Sequence, residues 1–244
     1  MNVIEEVGKY HDYAVSMRRE FHKHPELSWK EVETAGRIRD ELAGMGIPYE
    51  EVAGTGTIAT LKGKEDQPVI GLRCDIDALP IREVKNLPYC SQNQGVMHAC
   101  GHDAHISMLL TAARVLAEHQ DELKCTVKLI FQPAEELTNG AVKVLESGKV
   151  GKLDTVAGMH IFPYLESGTI SVDPGPRYTS ASFMNIKIIG KSGHGAMPQY
   201  AVDPIYVGCP SEYCQPGDQP HGYGGGQYLY LPFRYHGQCF CRDG

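Results

Sequence analysis

The chain has 244 residues, 42% of them hydrophobic, and a formal net charge of −7, which indicates an enzyme-sized globular protein with one full core and room for a smaller second one. The acidic balance and the lack of any Lys/Arg cluster argue against a nucleic-acid partner, because phosphate binding needs a basic face. No window approaches the roughly 18 continuous apolar residues of a membrane span and no signal-peptide pattern opens the chain, so we expect a cytoplasmic protein without a membrane partner.

The N-terminal segment predicts two helices, one on each side of a His-Lys-His-Pro sequence whose His22 and His24 we expect at the surface. Ser28 and Glu31 have the spacing of a capping box, which predicts the start of the second helix. That helix is expected to bury one apolar stripe, formed by Val32, Ala35, Ile38, Leu42 and Met45.

Beyond this helix the pattern changes to short apolar runs with helical stretches between them. Runs at 57–61, 69–74, 126–131 and 155–159 predict strands. One intervening helix is well specified, because its apolar residues recur at helical spacing: Ile106, Leu109, Leu110, Ala113, Leu116 and Ala117. The alternation predicts an α/β fold with a mixed, mostly parallel sheet flanked by helices.

The pattern changes again after Gly168, where residues 182–189 alternate like a strand with one buried face. We therefore expect one domain over 1–176 and the start of a second, α+β domain over 177–207. Residues 208–244 are rich in Gly, Tyr, Pro, Cys and Gln and show no period, so they predict no fold.

Three of the predicted strands run directly into residues capable of metal or acid–base chemistry. Asp75 follows the second run, Glu135 and Glu136 follow the third, and His160 follows the fourth. Ligands of open α/β sheets bind just outside the carboxyl ends of the strands. These side chains are therefore expected to converge, although they are far apart in the sequence.

Cys100 and His102 add a fourth contribution, from the loop that enters the well-patterned helix, where the helix N-terminus favours a thiolate. Cys, His and Glu together suit Zn²⁺ or a neighbouring ion such as Mn²⁺. One glutamate of the Glu-Glu pair can bind metal while its neighbour removes a proton from water, which predicts hydrolysis of an amide.

Each of these residues also has an ordinary structural explanation. A lone Cys100 is more often a small buried hydrophobe, and Glu135-Glu136 is more often a solvated helix start. Four suitably placed groups together are harder to explain in this way, and they favour a metal site. The H-x-E and P-C-x-x-C strings of a zinc deaminase are absent, as is the G-x-S-x-G string of a serine hydrolase.

Six motifs, in this order, resemble the family of aminoacylases, hippurate hydrolases and auxin-conjugate hydrolases over about 10–207: RREFHKHPELSWKE, GLRCDIDALPI, HACGHDAHISMLL, IFQPAEE, GMHIFP and GKSGHGAMPQYAVDPI. The resemblance implies an α/β catalytic domain with a two-metal centre, interrupted by a smaller lid or dimerisation domain. It also implies a homodimer that acts on small N-acyl amino acids or peptides, with Zn or Mn, or else Ni or Co, as the two divalent metal ions.

The resemblance also assigns roles to residues. It implies four metal ligands, Cys100, His102, Glu136 and His160. By the same resemblance Glu135 is the general base, and Asp75 orients the site by fixing the tautomer or charge of a ligand. His194 matches a lid-domain histidine that binds substrate or stabilises the developing oxyanion, in its own subunit or in that of a partner.

The chain departs from the family pattern near its end. Family chains run further and supply a final metal-ligating histidine, whereas the resemblance here stops near Val207. The residues after it resemble a translated wrong reading frame, so we expect a truncation or frameshift just after Ile205. Two alternatives stay open: an inactive fragment with at most partial metal binding, and a zinc module in the tail built from Cys209, Cys214, Cys239, Cys241, His221 and His236.

Overall fold

The computed structural model describes residues 2–175 and 188–203, and the chain divides into two compact units, Met1–Ser167 and Gly168–Gly244. The first unit contains five α-helices: α1 (Val3–Gly8), α2 (His11–Lys23), α3 (Val32–Gly44), α4 (His102–Glu118) and α5 (Gly140–Glu146). Its strands are β1 (Tyr49–Val52), β2 (Gly56–Lys62), β3 (Val69–Asp75), β4 (Thr126–Gln132) and β5 (Thr155–Gly158). All four predicted strands are therefore present, within one residue at each end.

The five strands form one sheet in the order β1-β2-β4-β3-β5. The β1–β2 and β2–β4 pairs are antiparallel, whereas β4–β3 and β3–β5 are parallel. The prediction of a mixed sheet flanked by helices is confirmed. The parallel half matters for function, because β3, β4 and β5 all end at the same edge of the sheet.

Helices cover both faces of this sheet. The larger core lies between the sheet and helices α2, α3 and α4, and its fully buried side chains include Phe21, Ile38, Leu42, Ile106, Leu110, Leu129 and Phe131. A smaller core on the other face packs Val144 of α5 against Ile58 and Ile130. The predicted stripe of α4 is confirmed, since Ile106, Leu110 and Ala113 are fully buried.

The predicted start of α3 is wrong in its details. The Glu26 carboxylate accepts hydrogen bonds from the Glu33 and Thr34 amides, and so supplies the cap expected of Ser28. Ser28 instead donates to Asp77, 2.7 Å away, so its hydroxyl takes part in a contact between distant segments. Val32, expected to be buried, is 67% exposed.

The second unit is described over residues 168–175 and 188–203 only. Within these ranges a bridge pairs Lys191 with Val202, and a short 3₁₀ helix covers Pro198–Tyr200. The predicted boundary at 176/177, most of the predicted strand at 182–189 and the tail at 208–244 lie outside the described residues. None of the described helices is long and apolar enough to cross a membrane.

Candidate metal centre

The carboxyl ends of β3, β4 and β5 and the N-terminus of α4 bring the predicted ligands together. Cys100 Sγ lies 3.3 Å from His160 Nε2. On the other side of the cluster, His102 Nε2 lies 3.8 Å from Glu136 Oε1. Residues separated by up to 60 positions in the chain thus meet at one edge of the sheet, as the strand-end pattern predicts.

His102 is the centre of this cluster. Potential ligand atoms form three groups, and within each group the atoms lie within 4.8 Å of one another. His102 belongs to all three: with Cys100 and His160, with Glu135 and Glu136, and with Asp75 and His105. The sequence predicted that His102 lies in a loop, but it is the first residue of α4 and is completely buried. Its position in a helix holds the imidazole in the interior of the protein.

The donors at this site suit a divalent metal ion. His102 Nε2 and Glu136 Oε1 are buried and have no hydrogen-bond partner among the described residues, although buried polar atoms normally have one. A cation between them would satisfy both atoms. Sulfur, nitrogen and carboxylate donors together are those that Zn²⁺ accepts.

The electrostatics of the cluster also favour a cation. Burial alone lowers the pKa of His102, but Asp77, Cys100 and Asp75 outweigh it and raise that pKa to about 11. Burial raises the pKa of the Glu136 carboxyl above its usual value, and Glu135 and Asp77 raise it further. The excess of acidic groups therefore attracts positive charge to the space between His102 and Glu136.

Two buried aspartates near His102 have different partners. Asp77 Oδ1 lies 3.3 Å from His102 Nδ1, and Asp77 Oδ2 accepts hydrogen bonds from Ser28 and from the Glu136 amide. Asp75 Oδ1 lies 2.6 Å from His105 Nδ1 and 3.7 Å from His102 Nε2. The carboxylate at the Nδ1 atom of His102 is thus Asp77, which the sequence analysis did not single out.

The loop after β4 carries the Glu-Glu pair and has a strained backbone. Ala134 has a φ of 48°, in the left-handed region that non-glycine residues rarely adopt. Its amide donates to the buried carboxylate of Glu31, which also accepts a hydrogen bond from Thr55. Glu31, expected to cap α3, instead holds the turn that places Glu135 and Glu136 beside His102.

A second buried network supports the N-terminus of α4. His22 Nδ1 lies 2.7 Å from Asp103 Oδ2, and its Nε2 lies 3.2 Å from Glu83. Arg18 contacts the same Asp103 oxygen at 3.0 Å. The expectation that His22 lies at the surface is wrong, because it is 3% exposed and its two carboxylate partners compensate for its burial. His24 keeps about a third of its side chain exposed.

His194 lies in the second unit. Its side chain is exposed, and its Nδ1 accepts a hydrogen bond from the Ala196 amide at 3.2 Å. The described contacts of His194 are thus local to its own turn.

The shifted pKa values of Asp75 and His102 give a prediction for the stability of the metal-free protein. The pKa of Asp75 is lowered from 3.8 to about 2, because the His105 hydrogen bond and the charges of His102 and Arg73 outweigh its burial. The charged Asp75 therefore stabilises the fold above about pH 3.8. The pKa of His102 is raised from 6.5 to about 11, so the protonated His102 contributes its full stabilisation below about pH 6.5. We expect maximal stability between these values, with a loss as the pH rises through 11 or falls through 2.

Thermal unfolding across this pH range, with a chelator present, measures the effect. Bound metal replaces the proton on His102, so the metal-loaded protein is expected to gain stability as the pH rises towards 6.5 and to keep it above that value. A metal-free protein whose unfolding midpoint rises through the alkaline range would contradict this prediction.

Known proteins share both the sequence and the fold. N-acetylcysteine deacetylase of Bacillus subtilis is 48% identical over 198 residues, which are 80% of this chain and 52% of that protein. IAA-amino acid hydrolase ILR1-like 4 of Arabidopsis thaliana is 44% identical over 197 residues, covering 80% of this chain and 44% of the relative. This chain therefore spans about half the length of these curated relatives.

Among solved structures, the Bacillus subtilis YXEP protein, described as a dinuclear metal-binding peptidase of the M20 family, matches with a TM-score of 0.67 and 49% identity. The match covers 69% of this chain and 48% of that one. The model of peptidase family M20/M25/M40 matches residues 71–221, past the limit near Val207 that the motifs indicated. This match covers more than half of the sequence, and the chain belongs to peptidase family M20/M25/M40.

Proposed function

We propose that the protein hydrolyses the amide bond of N-acyl amino acids or small peptides at a two-metal centre. The observation that carries the proposal is a pair of buried atoms at the edge of the sheet, His102 Nε2 and Glu136 Oε1. They lie 3.8 Å apart, and neither has a hydrogen-bond partner among the described residues. Cys100 and His160 lie on the other side of the same histidine. Family membership supports amide hydrolysis as the reaction.

In this proposal Cys100, His102, Glu136 and His160 hold the metal ions. The ions, Zn²⁺ or Mn²⁺ with Ni²⁺ or Co²⁺ as alternatives, would polarise the substrate carbonyl and acidify the attacking water. Asp77 Oδ1 lies 3.3 Å from His102 Nδ1, where it would favour a proton on that nitrogen and leave the Nε2 atom to face the centre. Asp75 acts one contact further away, through His105.

Glu135 is proposed as the general base. It lies in one ligand group with His102 and Glu136, at the end of the strained turn. Its carboxylate would take a proton from the water whose oxygen attacks the carbonyl carbon. When the carbon–nitrogen bond breaks, the same carboxyl would give that proton to the leaving nitrogen, so that one residue serves both steps.

The substrate class rests on the relatives. Two of them are called an N-acetylcysteine deacetylase and an IAA-amino acid hydrolase, and both names describe an acyl group on an amino acid. We therefore propose an N-acyl amino acid with a free carboxylate as the substrate. His194 would bind this substrate or the developing oxyanion, and a homodimer would place it in the subunit's own site or in that of a partner.

The second candidate is an inactive fragment that binds metal only in part. The observation in its favour is coverage, because the chain spans 52% and 44% of the two relatives. The two candidates differ on turnover, and the fragment would bind at most part of the metal.

The test measures metal content and turnover on the same preparations. Chain stripped with a chelator and reloaded with Zn²⁺ or Mn²⁺ is expected to release free amino acid from N-acetyl or N-benzoyl amino acids, whereas stripped chain is not. Cys100→Ala should lose part of the bound metal. Cys90→Ala, which removes a free thiol from another loop, should lose none. Metal without turnover would favour the fragment, and a chain that binds no metal would refute the two-metal centre.

A further inference from the structure

The residue after His160 bridges two histidines through its backbone. The Ile161 amide donates to His105 Nε2 at 3.0 Å. The Ile161 carbonyl oxygen lies 2.6 Å from His160 Nδ1. One peptide unit in the segment after β5 is therefore held by α4 and in turn holds the candidate ligand.

These contacts fix which nitrogen of each histidine carries a proton. A backbone N–H can only donate, so His105 Nε2 must accept and the proton lies on His105 Nδ1, which donates to Asp75. A backbone carbonyl can only accept, so the proton of His160 lies on Nδ1. In the neutral imidazole Nε2 is then the nitrogen that carries the lone pair, and this atom lies 3.3 Å from Cys100 Sγ.

Asp75, at the other end of this series of contacts, is also held in place. Asp75 Oδ2 accepts a hydrogen bond from Arg73 Nη1 at 2.8 Å, and Arg73 Nε donates to Gln132 Oε1 at 2.9 Å. Gln132 is the last residue of β4 and is 6% exposed. The contacts therefore run from the sheet, through Asp75 and His105, to the loop that carries His160.

Packing against Gly101 also holds the loop that carries His160 and Ile161. Gly101, the residue before α4, has a φ of 92°, and a Cβ atom at this position would overlap the Ile161 side chain. Glycine is thus required twice, for the left-handed backbone and for the close approach. Its neighbours on either side are Cys100 and His102, so Ile161 packs directly against the segment that carries two candidate ligands.

We propose that His105 is a positioning residue of the metal centre: anchored on Asp75, it holds the Ile161 peptide so that His160 presents Nε2 to the metal. His105 is itself excluded as a ligand, because both of its nitrogens are already hydrogen-bonded. The inference rests on the proposed metal centre, but its first readout is made on metal-free protein.

Two variants separate the two hydrogen bonds of His105. The terminal amide of asparagine reaches roughly the place of Nδ1, whereas that of glutamine reaches the place of Nε2. His105→Asn should therefore keep a donor for Asp75 and lose the acceptor for the Ile161 amide. His105→Gln should keep that acceptor.

The first readout is hydrogen exchange of the Ile161 amide in metal-free protein. Exchange is expected to accelerate in His105→Asn and to stay close to the wild-type rate in His105→Gln, because only the first loses the acceptor. The second readout is metal affinity by chelator competition, which should fall by about 10–100-fold in His105→Asn, the usual effect of losing a residue that orients a ligand.

His119→Asn, at the residue that follows the last residue of α4, is the control and should change neither readout. Equal exchange rates in the two His105 variants would overturn the proposal whether or not the chain binds metal. Faster Ile161 exchange with unchanged metal affinity would overturn the positioning of His160. If the two His105 variants differ in exchange but the wild-type chain binds no metal, the proposed function is refuted. The hydrogen bond between His105 and the Ile161 amide would then still be established.

Discussion

Replacing His102 by asparagine is expected to remove the bound metal while the protein stays folded. Among the described residues, His102 belongs to all three groups of potential ligand atoms, and it is shared by the two groups that remain once His105 is excluded as a ligand. The asparagine amide nitrogen can still donate to Asp77 in place of Nδ1, whereas the nitrogen that faces Glu136 disappears. Losing a residue that merely orients a ligand costs about 10–100-fold in affinity, so losing the central ligand should cost more.

Elemental analysis after desalting measures the metal, and thermal unfolding of the metal-free protein checks the fold. His119→Asn removes an imidazole from the residue that follows α4 and should retain the full metal content. Cys100→Ala, which affects one of the three groups, should give an intermediate content. Wild-type metal content in folded His102→Asn would mean that the ions bind elsewhere in the chain.

The parts of the fold that local sequence determines were predictable. Helix α4 repeats its apolar residues at helical spacing, and the strands at its flanks are continuous apolar runs. β1 was missed because its sequence, Tyr-Glu-Glu-Val, has no apolar run, and only pairing with β2 makes it a strand. The cap of α3 was misassigned because Glu31 is used by the loop after β4, about a hundred positions away.

The candidate site was also only partly predictable from the sequence. The ligand types at the strand ends were visible in the sequence, because the end of a buried strand is a recognisable place. The residues that hold these ligands were not visible, since a buried His22 looks like any other histidine on an amphipathic helix until Asp103 is placed beside it. Two local signals were available: Asp77 lies two residues after Asp75, and His105 lies one helical turn after His102.

The contrast between the two neighbouring glutamates is the sharpest test of the proposed chemistry. Glu135→Gln is expected to keep the metal and to lower the turnover of N-acyl amino acids by about 10²–10⁴-fold, the usual contribution of general acid–base catalysis. The amide of glutamine is nearly isosteric with the carboxylate but cannot accept the proton of the attacking water. Because the same carboxyl would also protonate the leaving nitrogen, both steps lose their proton carrier.

Glu136→Gln should behave differently. Its Oε1 atom lies 3.8 Å from His102 Nε2 and has no hydrogen-bond partner among the described residues, so this variant is expected to lose metal first and turnover as a consequence. Excess metal should then restore part of the activity of Glu136→Gln and none of that of Glu135→Gln. The loss of a group that only binds metal can be compensated by a higher metal concentration, whereas the loss of a group that moves the proton cannot. If metal restored both variants equally, or if Glu135→Gln turned over like the wild type, the proton carrier would therefore have to be another residue.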